Sequence, residues 1–105
     1  MTKYRILRHP NVADDLHDIA VLIANYAGVE ITLRKINEIE QAIRRLESVP
    51  HVGSVRDEIA PGMRAIPAAG KGVICFVVDD ENHEVRIMAI GYAGSDWMTV
   101  SSART

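Results

Sequence analysis

SVPHVGSVRDEIAPGMRAIPAAGKGVICF, residues Ser48 to Phe76, joins the longest helical pattern in the chain to its strongest strand signal. Pro50 and Gly53 break the helix that precedes them, since proline lacks an amide hydrogen and glycine favours turn geometry. Pro61-Gly62 marks a second turn, and Met63, Ala65 and Ile66 begin a strand. Ala68 to Gly72 reads as a loop around Lys71, and the run Val73–Val78 is continuously apolar, as in a strand covered on both faces. A helical half therefore meets a sheet half across this stretch, with Val55 and Ile59 in a short turn or helix fragment between them.

On the N-terminal side, Tyr4 to Leu7 has strand composition and Arg8-His9-Pro10 ends it. Asn11 is placed to cap a helix whose first turn holds Asp14 and Asp15. Val12, Leu16, Ile19, Ala20, Ile23 and Ala27 form one apolar stripe, which Gly28 interrupts. A second helix is predicted from Glu30 to Glu47 through Ile31, Ile36, Ile39, Ile43 and Leu46, with Glu40 and Arg44 four apart in the favourable order. The short connection predicts an antiparallel helical hairpin.

On the C-terminal side, Asp79 to His83 forms a turn and Val85 to Ile90 a return strand. The fold class is α+β in the order β-α-α-β-β-β: an N-terminal strand, an antiparallel two-helix hairpin, then a three-stranded antiparallel segment completing one sheet. One domain spans 1–105, with a core over residues 3–97 and a small polar tail, 98–105, expected to be flexible.

The hairpin can cover one sheet face only. Val73, Cys75 and Val77 alternate with Ile74, Phe76 and Val78, and Met88 and Ile90 oppose Val85, Ile87 and Ala89. Both faces are apolar, so the tail, a second copy or another protein must cover the second. Val73, Cys75, Val77, Met88 and Ile90 are the candidate covered positions.

The 105 residues suit one domain, and 48% apolar content supplies a core. A net charge of −2 gives no whole-molecule field to draw in nucleic acid. The single cysteine excludes an intrachain disulfide. No apolar run reaches the length of about 18 residues that a membrane helix needs, and MTKYRILRHP does not read as a signal peptide, so the cytoplasm is the expected location.

No glycine-rich phosphate loop, zinc-binding pair or Cys-x-x-Cys motif is present, and no cofactor or metal is expected. Asp79, Asp80, Glu81 and Glu84 have metal-like composition but occupy a turn, where carboxylates bond to backbone. His9, His17, His51 and His83 lack ligand spacing and read as surface residues. Among the cations, Arg56, Arg64, Lys71 and Arg86 flank or occupy the sheet; Asp57, Glu58 and Glu84 offer them plain structural pairing. Tyr92 and Trp97, between glycines, form either a lid on the sheet or a platform for a partner.

Several pieces carry a likeness in order and spacing over residues 3–97: Tyr4-Arg5-Ile6 with His9-Pro10, Asp15-Leu16 with Ile19, Ile43 and Leu46 with Pro50 and Gly53, Arg56-Asp57-Glu58-Ile59 with Pro61-Gly62-Met63-Arg64, and Ile90-Gly91-Tyr92-Ala93-Gly94-Ser95-Asp96. With them the chain resembles the RelE/ParE superfamily of bacterial toxins from type II toxin–antitoxin systems, formerly described as plasmid stabilisation proteins. Pro61-Gly62-Met63-Arg64 resembles the ParE branch more than the mRNA-cleaving branch. The resemblance implies a toxin that inhibits DNA gyrase and causes growth arrest. It also implies a cognate ribbon-helix-helix antitoxin, ParD-like, bound in a hetero-oligomer over the second sheet face. Target contacts would be Arg56, Arg64, Lys71, Arg86, Tyr92 and Trp97. The alternative is a ribosome-dependent mRNA endoribonuclease, with Arg64, Lys71, Arg86 and Tyr92 as its catalytic set. The positions where that branch gathers basic residues hold Ile66, Gly72 and Ala93 here, which argues for contact over catalysis. A non-toxic protein-binding module is the third reading.

Overall fold

A five-stranded sheet with helices on both faces organises the computed structural model, which describes residues 2–105. In chain order the elements are β1 (Arg5–Arg8), α1 (Val12–Ala27), α2 (Val29–Arg45), β2 (Ser54–Val55), β3 (Met63–Ala68), β4 (Gly72–Asp79), β5 (Glu84–Tyr92) and α3 (Trp97–Ala103). The strand order is β1-β5-β4-β3-β2, with β1 parallel to β5 and the other pairs antiparallel. This is the α+β arrangement that the alternation of patterns predicted.

The hairpin needs a single linking residue. Gly28 has φ 87° and ψ 176°, a backbone region open essentially to glycine alone, and it ends α1 and starts α2 at once. Val12, Ile19 and Ile23 from α1 and Ile39, Ile43 and Leu46 from the second helical segment press on Ile74, Phe76, Val85 and Ile87 of the sheet. Burying such side chains fully is worth roughly 1.5–3 kcal/mol each, so this layer supplies most of the drive to fold.

Three details differ from expectation. Asn11 makes no side-chain cap; its own amide donates to His9 Nδ1 at 3.1 Å, so the imidazole closes the turn. Glu40 pairs with Arg8 on β1, through contacts of 2.5 and 3.1 Å, rather than with Arg44 one turn along its own helix. The guanidinium beside it holds the Glu40 carboxyl below its usual range. Of the turn or helix fragment expected at Val55 and Ile59, the turn holds at Ile59, whereas Val55 lies in a two-residue edge strand before it.

The second face carries two further corrections. The tail expected to be flexible forms α3, which lies over a small cluster of Ala60, Met63, Ala65, Cys75 and Ala89 together with Trp97. Small side chains at 65, 75 and 89 let the helix approach closely. The alternation along β5 also breaks. Cys75 pairs with Ala89 but Phe76 with Ile87, leaving Met88 as an extra residue, a β-bulge that reverses the facing of everything after it. Ile90 therefore joins Val85 and Ile87 in the hairpin-side core instead of the second face, where Val73, Cys75, Val77 and Met88 remain.

Candidate functional site

β1 ends where Pro10 can donate no further ladder bond, and its last contact is the His9 amide on the Ile87 carbonyl at 2.8 Å. Beyond that point the outer edge of β5 is closed by side chains. Arg104 donates to the Met88 carbonyl at 3.0 Å, and Asp15 accepts from the Ile90 amide at 3.0 Å. The two also form a two-pronged ion pair at 2.6 and 2.8 Å. Asp15 holds Arg104 above the usual arginine range. Sequence reading missed this pair; the spacing of Trp97, Val100 and Arg104 along one helical face was the available signal.

Between α1 and α3 at this edge lies a cleft of about 190 Å³, lined by Leu22, Ile90, Tyr92, Trp97 and Val100 among others. Tyr92 and Trp97 thus border one cleft. Tyr92 reaches it from the hairpin-side core, where its hydroxyl lies 3.5 Å from that of Tyr26. The contact with Tyr26, followed by burial, pushes the Tyr92 phenol up to about 12. Trp97 reaches it from the second face, with the Arg56 guanidinium 5.2 Å from the centre of its ring.

The other arginines point in different directions. Met63 and Ala65 face α3, so Arg64 faces the hairpin side, where Nη1 lies 3.5 Å from the Val52 carbonyl. Val85 and Ile87 face the hairpin, so Arg86 faces the other way, beside Glu84 at 3.3 Å. Glu84 is shared with Arg5, whose guanidinium is the main reason its carboxyl titrates low. Arg56 pairs with Glu58 at 2.7 Å, the local pairing that the sequence offered. Lys71 sits in the turn before β4, where its carbonyl accepts from the Ala93 amide, beside the end of β5.

Arg64, Lys71, Arg86 and Tyr92 are consequently not brought together. Five residues of strand separate Arg86 from Tyr92 along β5, roughly 17 to 20 Å at 3.3 Å per step, and they project to opposite faces. Only Lys71 and Tyr92 are near neighbours, through the Gly72–Tyr92 pairing. A phenol held near 12 is also a poor proton acceptor at neutral pH.

Of the second-face positions, Val73, Val77 and Met88 are half-buried beside α3. Cys75 is fully buried, and burial pushes its thiol up. The dispersed histidines, by contrast, partly converge. Tyr4 donates to Asp80 Oδ1 at 2.6 Å, His51 Nε2 lies 2.7 Å from the same oxygen, and His83 stacks edge-on to Tyr4. No group of three metal-ligating side chains converges among the described residues. None of the described helices is long and apolar enough to cross a membrane.

Fold and rim together define a small α+β domain that presents separated cations around a sheet without assembling them into a catalytic cluster. Comparison with known proteins specifies the class. The family described as "ParE toxin of type II toxin-antitoxin system, parDE" matches residues 6–97, and the chain belongs to that family. Toxin ParE3 of Caulobacter vibrioides is 30% identical over 60 residues, which make up 57% of this chain and 60% of that protein. The chain thus matches only about 60% of that curated relative's length. A structure of the chromosomal ParDE system from P. aeruginosa superposes with a TM-score of 0.73 at 22% identity, covering 87% of this chain and 97% of that one. An E. coli RelE toxin mutant in the free state gives 0.64 at 11% identity, covering 97% of this chain and 96% of the other. The RelBE2 toxin–antitoxin complex of Mycobacterium tuberculosis gives 0.62 at 16%, covering 88% and 100%. At these identities the structural likenesses speak for the fold alone.

Proposed function

We propose that this chain is a cytoplasmic toxin that arrests growth by inhibiting DNA gyrase, without itself cleaving nucleic acid, and that a ribbon-helix-helix antitoxin of the ParD type neutralises it. Family membership supports the toxin assignment. The observation that carries the choice of mechanism is the dispersal of Arg64, Lys71, Arg86 and Tyr92 over two faces and two ends of the sheet. In-line cleavage of a phosphodiester needs a base and a cation within reach of one phosphate, and these four side chains do not offer that.

In this reading Arg56 with Trp97, Arg64, Lys71, Arg86 and Tyr92 make contacts with the target rather than perform chemistry. Val73, Val77 and Met88, half-exposed around α3, are antitoxin-covered positions, whereas Cys75 and Ile90 support them from inside. Induction in a gyrase-inhibitor-sensitive host, with RNA integrity and DNA cleavage read together, tests the proposal. Intact RNA with accumulated cleaved DNA is expected. Cleaved ribosome-bound mRNA with intact DNA would overturn it in favour of the endoribonuclease, and normal growth would favour a non-toxic binding module.

A further inference from the structure

Among the large hydrophobic side chains that the described residues leave in water, the two most exposed are Val29 at 69% and Leu33 at 66%. They stand four apart, and so form one ridge along the first two turns of α2. Val21, Leu22 and Tyr26 are exposed in the last two turns of α1, so the antiparallel hairpin gathers all five at its tip. Leu22 lines the cleft beside α3, and the Tyr26 hydroxyl lies by that of Tyr92. Val29 and Leu33 pack into neither apolar layer of the fold. Scattered exposed apolar residues are ordinary, but a pair this exposed on one helical ridge marks a contact.

The charges beside the ridge select its occupant. Glu30 and Arg34 each follow a ridge residue by one position, which on an α-helix sets both about 100° further round, on the same flank. Both are exposed, and neither joins an ion pair among the described residues, although they stand four apart in the favourable order. One acid and one base therefore lie at equal distances from Thr32, along one edge of an apolar ridge. Thr32 itself is buried behind it, its hydroxyl donating to the Gly28 carbonyl at 2.8 Å.

A two-fold contact requires a patch that complements itself. With a two-fold axis perpendicular to α2 at the level of Thr32, Glu30 of each copy faces Arg34 of the other. The two Leu33 side chains then lie about 3 Å apart along the helix direction, each between Leu33 and Val29 of the opposite copy. A patch shaped for an unrelated protein has no reason to carry opposite charges symmetrically about one point. The net charge of −2 sets little repulsion against pairing.

We propose that α2 is a self-association surface, through which two copies of this chain pair in antiparallel fashion about a two-fold axis at Thr32. Val29 and Leu33 interdigitate, and Glu30 meets Arg34 on the flank. A ridge of two side chains per copy is small, so the association is weak and depends on concentration. Val73, Val77 and Met88 lie across the sheet from α2, and pairing leaves them free in both copies. The dimer thus presents two second faces at once, and a partner with two arms gains avidity from it.

The test is sedimentation equilibrium of the full chain from about 1 µM to about 1 mM, the range in which a weak dimer forms. The wild type should pass from monomer to dimer. Leu33→Asp should weaken pairing by about tenfold or more, as loss of an interface anchor does. Glu30→Arg and Arg34→Glu, which set like charges together twice per dimer, should each do the same. The double variant carrying both exchanges restores opposite charges across the axis and should dimerise as wild type. Val55→Asp, exposed but away from the hairpin, should also dimerise as wild type. All the changed residues are exposed, so the thermal midpoint should stay in place and confirm that each variant is folded. A wild type that stays monomeric, a dimer indifferent to Leu33→Asp, or a double variant no better than the single ones would each overturn the proposal. A monomeric wild type whose affinity for a purified ParD-type antitoxin falls in Leu33→Asp would give the ridge to that partner, and would overturn it too.

Discussion

Arg104 and Asp15, 89 positions apart in sequence, meet across the edge of β5 and hold both exposed backbone groups of its bulge, the Met88 carbonyl and the Ile90 amide. The pair ties the last residues of the chain to the first turn of α1. It also stands in for the ladder bonds that β1 cannot make beyond His9.

Replacing Arg104 by alanine should therefore do more than trim a surface charge. Its side chain is 12% exposed and that of Asp15 is 14% exposed, so an unpaired carboxylate would be left largely out of water. The expected cost is about 3 kcal/mol, the lower end for a broken buried pair. Chemical denaturation measures it, and hydrogen exchange should show α3 losing protection before the hairpin does. A change of under about 0.5 kcal/mol, the level of an exposed pair, would show that the bulge is held by backbone alone.

Ser101 is fully buried, and its hydroxyl approaches Cys75 without forming a regular hydrogen bond. Ser101→Ala removes an unsatisfied polar group and installs a better helix former. Stability should rise by about 1 kcal/mol. A loss of similar size would mean that the hydroxyl does bond the thiol.

Gly91 lies where a Cβ would come 2.6 Å from the Cβ of Trp97 and 2.8 Å from Ser95 Oγ. Gly91→Ala should push the start of α3 away from the sheet and cost about 1–3 kcal/mol, as overpacking does. Tryptophan fluorescence reports it directly, because Trp97 is the only tryptophan. An unchanged spectrum and midpoint would contradict the close approach.

Tyr92 makes an alkaline prediction. Its phenol is raised to about 12, first by Tyr26 and then by burial, whereas an unfolded tyrosine ionises near about 10. The native state thus keeps a proton that the unfolded chain loses. The stabilising contribution is complete below about pH 10 and is lost as pH rises through about 12. Ultraviolet difference titration of Tyr26→Phe should bring the late-titrating phenol down toward its ordinary range. Persistence near 12 would assign the shift to burial.

The hairpin, the apolar strand after Gly72 and the diagnostic Pro61-Gly62-Met63-Arg64 turn were legible because each rests on local periodicity or on residues with special backbone demands. The second face was half legible. Alternation at Val73, Cys75 and Val77 signalled a covered face, and of the covers offered the tail lies there; what stayed hidden was that its polar composition forms a helix, α3, anchored by a distant aspartate. Ile90 was placed on the wrong face because a bulge inserts one residue without any mark in composition. Glu40 chose Arg8 over Arg44 because the sheet brings β1 close, which spacing along a helix cannot reveal. The opposed directions of Arg64 and Arg86 likewise depend on which face each strand residue takes, and the contact between Arg56 and Trp97 on where α3 packs.

Met88 makes β5 behave like a sentence with a changed reading frame. Up to Ile87 the odd positions look toward the hairpin, and from Ile90 onward the even ones do. Deleting this one residue would produce a more regular strand and a worse protein. Every pair from Cys75–Ala89 to Gly72–Tyr92 would keep its facing, but the carbonyl that accepts from Arg104 would be gone, and Asp15 would be left to hold that edge alone. Length variation among related sequences should accordingly be absent at this point of the strand while being tolerated in the turn from Asp80 to His83, where an added residue shifts nothing downstream.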